Sequence, residues 1–410
     1  MSASTTTAPA SLLPGRLDTL AFALLAVLPL GMALVNRSAQ PLLVAAALSA
    51  LGARFAAGEI GTVRDRVVAC LTRPIGLIVL AFLAFGLVSI AWSHHLKVSF
   101  SAYGEVLLAA AAALALHAAL PSRIPPWVPK AAGIAIAIGC LTMISELATY
   151  MSFRASLGVR NYAFIFKRSV TAILIVGWPI AALLWLSGKR SIVIALALLF
   201  GIAVREAHSS ATVLGLAAGI GLGALAAFSP RIGAWTLAAA LAVAMLAAPI
   251  MGDAADRLLP PSLVERLESA HARDRINIWQ SFGEVVKRRP VGGAGFGTSP
   301  VMGQEPVAQE VPAERRLLLA VWHPHNGYLQ IWSETGLVGA MLALAALVLT
   351  ALGIGRMSPI RAATGAAVTA SAGAIMLVGH GLWQGWWSAV LGIAAVLVAR
   401  LPEAGRSRQA

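Results

Sequence analysis

Long apolar runs separated by short polar connections occupy most of the chain. Windows of about 19 residues find twelve such runs, each long enough to cross about 30 Å of hydrocarbon. The second run is short and weak, which leaves eleven or twelve spans. The pattern predicts an all-α integral membrane protein with about 12 transmembrane helices. The runs lie at 17–35, 39–58, 75–92, 101–120, 130–151, 169–187, 190–205, 210–228, 232–252, 328–353, 360–379 and 383–400.

The composition narrows the class of protein further. Hydrophobic residues make up 59% of the 410 residues, charged residues make up 12%, and the mean hydropathy is +0.81. Because a soluble domain has about 25% charged residues, this chain requires a lipid solvent. A soluble enzyme, a disordered chain and a secreted disulfide scaffold are therefore excluded. The two cysteines, Cys70 and Cys140, lie in unrelated segments and are expected to be free thiols.

One long connection interrupts the series of spans, between the ninth and the tenth. Loops of that length are usually functional, and this one includes short amphipathic segments. The sequence predicts three parts: transmembrane helices 1–9 in residues 1–252, a catalytic loop in residues 253–327, and transmembrane helices 10–12 with a cytoplasmic tail in residues 328–410.

The lysines and arginines of the short loops predict the orientation. If the N-terminus is cytoplasmic, the short cytoplasmic segments carry fifteen basic residues and the short outer loops carry seven. This bias predicts that both termini are cytoplasmic and that residues 253–327 lie on the outer side.

The basic residues on the outer side need a separate explanation. The net charge is +14, and Arg154, Arg160, Lys167 and Arg168 cluster in one short outer loop. A bound anion would account for the cluster. The alternative is that long loops translocate regardless of charge, which explains the basic residues of the long loop but not this cluster. Nucleic acid is the weaker interpretation, since no basic soluble domain is present to hold it.

An amphipathic helix is predicted over residues 274–290 of the long loop. Ile276, Trp279, Phe282 and Val286 recur at three and four residues, which places them on one helical face. Asp274 is the expected cap, and Pro290 is the expected stop. Arg275 then lies in the first turn, where a guanidinium beside free backbone N–H groups suits a phosphate. The alternative for this residue alone is a solvated surface arginine.

The end of the long loop contains the candidate base. Pro324 and Gly327 predict a turn just before the tenth span, which places His325 at the mouth of a helix near the membrane surface. A neutral imidazole there can accept a proton from a sugar hydroxyl. His323 raises the possibility of a metal site, but no carboxylate or cysteine has suitable spacing. The glycine-rich residues 292–297 predict a tight turn and not a nucleotide loop, because no strand precedes them and no Lys-Ser/Thr follows.

Three segments resemble bacterial O-antigen ligases. His325-Asn326, then nine residues, then Gly336-Leu337-Val338-Gly339 matches their histidine signature. Residues 275–279, followed by residues 289–295, resemble the outer-loop segment of the ligase and polymerase superfamily. Residues 205–210 resemble its arginine–serine segment, although Glu206 and His208 do not match.

The resemblance implies a C-type glycosyltransferase of the bacterial inner membrane. Such enzymes move O-antigen polysaccharide from undecaprenyl diphosphate to the lipid A-core of lipopolysaccharide, on the periplasmic face, without a nucleotide sugar, a cofactor or a metal. It implies that His325 is the general base and that Arg275 and Arg205 hold the diphosphate, with inversion at the anomeric carbon. Further residues expected to bind substrate are Arg273, Arg160, Arg154, Asn326, Lys167, Arg168 and Trp279.

Three alternatives stay open. An O-antigen polymerase performs the same chemistry with a second lipid-linked glycan as acceptor, and a protein O-oligosaccharyltransferase uses a protein acceptor. A transporter or flippase belongs to another class; twelve spans and buried charges permit it, but no pair of broken helices occurs in corresponding halves. Glu105 and Glu146 lie inside apolar spans and are expected to bond within the bundle.

Overall fold

A computed structural model describes residues 12–159, 162–266, 271–379 and 381–403, and the regular structure of these ranges is helical, without a β-strand. The α-helices, numbered in chain order, are α1 (Leu13–Ala26), α2 (Leu28–Leu34), α3 (Ala39–Ala56), α4 (Ile60–Leu71), α5 (Pro74–Ser89), α6 (Leu96–Ala119), α7 (Trp127–Ala148), α8 (Ser152–Ser156), α9 (Phe166–Leu186), α10 (Arg190–Glu206), α11 (Ser210–Phe228), α12 (Pro230–Ala247), α13 (Met251–Leu258), α14 (Pro261–Arg266), α15 (Ala272–Arg288), α16 (Val307–Glu310), α17 (Ala313–Arg316), α18 (Gly327–Ile354), α19 (Pro359–Val378) and α20 (Gly385–Ala399). Short 3-10 helices lie at Ile90–Trp92, Ala163–Ile165, Ala248–Ile250, Ser299–Gln304 and Leu317–Ala320.

The helices fit a multi-pass membrane protein. Within the described ranges, nine helical segments are long and apolar enough to cross a membrane, or ten if α1 and α2, which meet at a 49° bend, form one span. The weak second run is among them, as α3. Helices occupy all twelve predicted runs, but α10 has 17 residues and α20 has 15, which is short for a span. The count of twelve therefore stays a prediction.

The amphipathic helix of the long loop is α15, and its face is the predicted one. Ile276, Phe282 and Val286 are buried, and Trp279 is half-buried against the same core. α15 begins two residues earlier than expected, because His271 and not Asp274 takes the cap position. Asp274 instead lies in the first turn, with its carboxylate 3.5 Å from the His271 ring. The helix packs against α13 and α18, which fixes the outer loop to the bundle.

The glycine-rich segment closes a break in α18. At Gly336 the backbone leaves helical geometry, with φ 60° and ψ −159°. The groups exposed there bond to residues 290–294: the Ala294 N–H donates to the Ser333 carbonyl at 2.9 Å, and the Leu337 N–H donates to the Pro290 carbonyl at 2.8 Å. A side chain at position 336 would collide with the Val291 carbonyl. The segment is the predicted tight turn, and its function is to satisfy the backbone of a broken helix.

A buried carboxylate holds the same junction together. Glu334 is fully buried, and its two oxygens accept hydrogen bonds from four donors in three parts of the chain. The donors are the N–H groups of Gly297 at 2.5 Å and Ser299 at 3.1 Å, the Gln330 amide at 3.0 Å and the Trp383 indole at 2.6 Å. Because every bond is internal, Glu334 serves the fold and not the chemistry.

Candidate active site

A cavity of about 1030 Å³ lies where the ends of several helices meet the long loop. Its described lining comes from eight separate stretches of chain, so no single segment forms it. The stretches are residues 34–37, Thr142 with Glu146, 153–159, 162–168, 208–211, 271–278, His325, and Val378 with Gly379.

The charge of this cavity is strongly positive. Five cationic side chains line it, namely Arg37, Arg154, Lys167, Arg168 and Arg275, and the described lining contains two carboxylates, Glu146 and Asp274. Cations from α8 and α9 are thus brought together with Arg37 and with Arg275 of α15, which are far from them in sequence. This juxtaposition favours an anionic ligand.

Three helices also begin at this cavity, and a histidine with left-handed backbone precedes each of them. His208 (φ 48°) precedes α11, His271 (φ 56°) caps α15, and His325 (φ 53°) lies one residue before Asn326, the cap of α18. All three histidines line the cavity. The N-terminal ends of helices carry partial positive charge and free N–H groups, so they add to the attraction for an anion.

His325 is held in a half-buried position beside Arg275. Its ring makes a hydrogen bond with the backbone of Gly379, at the end of α19. The pKa of His325 is lowered, first by burial and then by the positive charge of Arg275, with smaller contributions from His271 and Lys167. The sequence predicts that nearby cations lower this pKa, and burial and the cations together favour a neutral imidazole at neutral pH.

The sequence predicts that Pro324 directs His323 away from His325, but the structure brings the two side chains together. The two rings lie 4.2 Å apart between centroids, and the His325 N–H donates to the His323 Nδ1 at 3.2 Å. Because Nδ1 accepts that bond, it carries no proton, and His323 supports the left-handed backbone at position 325. The expectation failed because proline limits its own φ but leaves the side-chain torsions of His323 free.

Arg275 is the cation best placed to act on a ligand. It is half-buried at the first turn of α15, and burial lowers its pKa, although a guanidinium stays charged at any ordinary pH. Within the described ranges, no hydrogen bond or ion pair holds its guanidinium. Its donors are therefore available to a ligand in the cavity.

Two of the other predicted cations of the cavity, Arg154 and Arg168, contact protein groups. Arg154 donates to the carbonyls of Ala33 and Leu34 at 2.9 and 2.8 Å, at the end of α2. Arg168 lies 5.9 Å from the centre of the Trp386 ring. Lys167 lines the cavity close enough to His325 to act on its pKa. Arg160 lies outside the described residues.

Four predicted site residues do not line the cavity. Arg205 is exposed at the last turn of α10, three residues before His208. Arg273 pairs with Asp256 at 2.7 Å. Asn326 is buried, and its side chain caps α18 by accepting from the Leu329 N–H at 3.1 Å. Trp279 is half-buried in the core. Their part in binding stays a prediction.

Two charged residues of the cavity wall, Arg37 and Glu146, were not among the predicted site residues. Arg37 was counted in an outer loop, but nothing in its local sequence connects it with residues 154–168. Glu146 was expected to bond within the bundle, but neither carboxylate oxygen has a hydrogen-bond partner among the described residues. For Glu105 the same expectation is confirmed, because its carboxylate accepts from the Gly385 N–H at 2.6 Å.

A metal was not expected here. In the described part of the chain, no group of three or more histidine, cysteine, aspartate or glutamate side chains could hold a metal ion. Independence from metal stays a prediction that an assay must test.

A family model matches part of the chain. Residues 175–344 match the family model described as O-antigen ligase. The match covers 170 of the 410 residues, which is less than half of the chain. The matched region runs from α9 into α18, so it contains Arg205, Arg275, His325 and the break at Gly336.

A relative carries a similar description. A protein of Rickettsia felis named "Putative polysaccharide ligase" is 27% identical over 243 residues, which are 58% of this chain and 57% of the relative. The chain thus spans a little over half the length of the curated relative that it matches.

Proposed function

We propose that this protein is an O-antigen ligase, a glycosyltransferase of the bacterial inner membrane, as the match of its residues 175–344 supports. It takes O-antigen polysaccharide from undecaprenyl diphosphate and joins it to a sugar of the lipid A-core of lipopolysaccharide, on the periplasmic face. The proposal includes twelve spans, both termini in the cytoplasm, and residues 253–327 as the catalytic loop. The observation that carries it is the shared cavity of His325, Arg275 and Lys167.

The positive cavity supports an anionic donor. A diphosphate carries its charge on oxygens, which suit guanidinium donors and helix N-termini together. Arg275 has free donors, and Lys167 and Arg168 add positive charge. Arg205 remains the second candidate for the diphosphate, since it lies at the same end of α10 as the cavity residues 208–211.

The chemistry follows from a neutral histidine beside an arginine. His325 takes the proton of the acceptor hydroxyl as the hydroxyl oxygen attacks the anomeric carbon. The bond from that carbon to the diphosphate oxygen breaks, and the diphosphate leaves with the electron pair. Arg275 stabilises the charge that grows on it. Attack opposite the leaving group inverts the anomeric carbon.

The test uses purified protein in lipid nanodiscs with lipid-linked polymer and lipid A-core. We expect polymer-bearing core lipid to form without nucleotide and to survive EDTA, because the arginines replace a cation. Loss of activity with EDTA that Mg²⁺ or Mn²⁺ restores would contradict the arginine mechanism.

A deletion strain separates the ligase from a polymerase. Loss of a ligase leaves core lipid without polymer, while long polymer accumulates on its carrier. Core lipid capped with a single repeat unit would assign the polymerase reaction instead, and unchanged lipopolysaccharide with a transport defect would favour a transporter.

A further inference from the structure

Glu146 is a buried carboxylate without a partner on the wall of the cavity. It is 3% exposed and lies near the outer end of α7. Neither oxygen has a hydrogen-bond partner among the described residues, although both are acceptors that burial removes from water. An unsatisfied buried carboxylate is costly, and in membrane proteins such groups are commonly functional.

Two neutral polar residues line the cavity near Glu146. Thr142 lies one turn earlier on α7 and therefore on the same helical face. Asn36 follows α2, which packs against α7. The Asn36 amide nitrogen donates to the Ile165 carbonyl at 3.4 Å, which leaves its oxygen as an acceptor. This side of the cavity thus offers several hydrogen-bond acceptors together.

Aromatic rings line the same cavity. Tyr162 and Phe164 are stacked, with ring centres 5.4 Å apart and planes 12° apart, and both line the cavity and are more than half exposed. Phe153 lines it as well and is 61% exposed. Acceptors for hydroxyl groups beside exposed aromatic faces suit a sugar ring, which has hydroxyls at its edge and an apolar C–H face.

We propose that Glu146 accepts hydrogen bonds from hydroxyl groups of a pyranose ring bound in this cavity, with Asn36, Thr142 and the Tyr162–Phe164 pair around it. The assignment rests on the proposed function and adds a sugar subsite to it. A carboxylate has two oxygens and can accept from two neighbouring hydroxyls at once. Its negative charge repels a diphosphate, so the phosphates lie toward Arg275 and the sugar toward α7.

The first experiment needs no lipid carrier. Saturation-transfer NMR with methyl glycosides of common hexoses compares wild-type protein in nanodiscs with Glu146→Gln, which keeps the shape and removes the charge. We expect the sugar signal of Glu146→Gln to be weaker than that of wild type by about tenfold or more, because the variant loses charge-assisted hydrogen bonds. Glu206→Gln is the matched control, because Glu206 also lies at the outer end of a helix but does not line the cavity. Equal signals in all three proteins would overturn the proposal.

Thermal unfolding separates binding from a structural function. Because Glu146 has no partner in the described fold, Glu146→Gln removes an unsatisfied charge and should raise the melting temperature while it lowers sugar binding. If Glu146→Gln lowers the melting temperature as well as sugar binding, Glu146 supports the fold, which contradicts the proposal. Glu146→Asp, which keeps the charge on a shorter side chain, should recover part of the sugar signal.

Carrier binding identifies the source of the sugar. We expect undecaprenyl diphosphate without sugar to bind wild type and Glu146→Gln alike. Weaker binding of the glycan-bearing carrier alone would assign the donor sugar, and a higher KM for core lipid alone would assign the acceptor sugar. Equal weakening of the sugar-free carrier would overturn the proposal. If wild-type protein binds neither carrier, the proposed function is contradicted. The NMR comparison then still tests whether Glu146 binds a sugar.

Discussion

The left-handed backbone at His325 determines where its ring lies. Histidine tolerates positive φ better than a β-branched residue, and the bond from the His325 N–H to His323 supports that conformation. The ring then lies over the cavity, between Arg275 and the backbone of Gly379. Position and protonation state of the proposed base thus depend on the same few contacts.

Replacement of the proposed base should abolish most transfer. His325→Ala should lose about 10²–10⁴-fold in turnover, the usual contribution of a positioned base, and still bind the lipid-linked donor. His323→Ala removes a supporting hydrogen bond and should lose about tenfold or less. The measurements are turnover and donor binding in nanodiscs. An active His325→Ala would place the base elsewhere.

The pH profile should report the lowered pKa of His325. Only the neutral ring accepts a proton, so activity should fall as the pH drops through a pKa below the ordinary value of about 6.5. Arg275→Ala removes a nearby positive charge, so the pKa should rise and the acidic limb should move to higher pH. Arg275→Lys keeps the charge and should keep the limb. If the acidic limb of the pH profile lies at the same pH in Arg275→Ala as in wild type, Arg275 does not lower the pKa of His325.

The size of the activity loss in Arg275 variants tests the contact between Arg275 and the diphosphate. Arg275→Ala should lower transfer by about 10- to 150-fold, the equivalent of roughly 1.5–3 kcal/mol for a charge-assisted bond. Lysine should rescue in part, since it lacks the planar fork. Arg257→Ala is the control, because Arg257 is exposed in the same loop but does not line the cavity. Equal loss in both variants would indicate a general effect of charge.

At the scale of elements, the local spacing of hydrophobic residues predicts where helices form, but not which segments pack against each other. The face of α15 is predicted by the spacing of Ile276, Phe282 and Val286, because a helix repeats every 3.6 residues. The break in α18 is a different case. Its cause is the bonding of residues 290–294 to residues 333–337, about forty residues later, and a hydropathy window carries no information about such pairing.

The break should make Gly336 intolerant of a side chain. Gly336→Ala places a Cβ against the Val291 carbonyl in a left-handed conformation, which should cost at least about 2 kcal/mol of folding free energy. Gly353→Ala, in the regular part of α18 with nothing within 4 Å of its Cβ, should be neutral or slightly stabilising. Thermal unfolding in detergent compares the two variants. Equal melting temperatures would mean that the break tolerates a side chain.

At the scale of the whole molecule, the apolar runs predict the bundle and only the three-dimensional packing reveals the cavity. Arg154, Lys167 and Arg168 were identified as a cluster because they are close in sequence. Their neighbours Arg37 and Glu146 come from α2–α3 and α7, and single-sequence periodicity cannot indicate which helices become adjacent. His325 and Arg275 were candidates from local sequence alone, and the resemblance added that they act together, as base and diphosphate ligand.

The orientation can be tested with single cysteines. After replacement of Cys70 and Cys140, a cysteine at the exposed Ser262 should react with an impermeant maleimide in intact spheroplasts, because residues 253–327 are predicted to be periplasmic. A cysteine at Ser187, exposed between α9 and α10, should react after lysis. Glu305 is unsuitable for this purpose, since it is 2% exposed and contacts His94 at 3.2 Å. If the cysteine at 262 reacts only after lysis and the cysteine at 187 reacts in intact spheroplasts, the orientation is the reverse of the predicted one.

The pairing of residues 290–294 with the break in α18 also bears on biosynthesis. The chain leaves the ribosome from its N-terminus, so residues 290–294 exist before the backbone at 333–337 to which they bond. Until α18 arrives, those N–H and carbonyl groups have water as their partner. A nascent chain that stops before Gly336 therefore already carries His325 and Arg275, but residues 290–294 still lack the partners that hold the loop against α18.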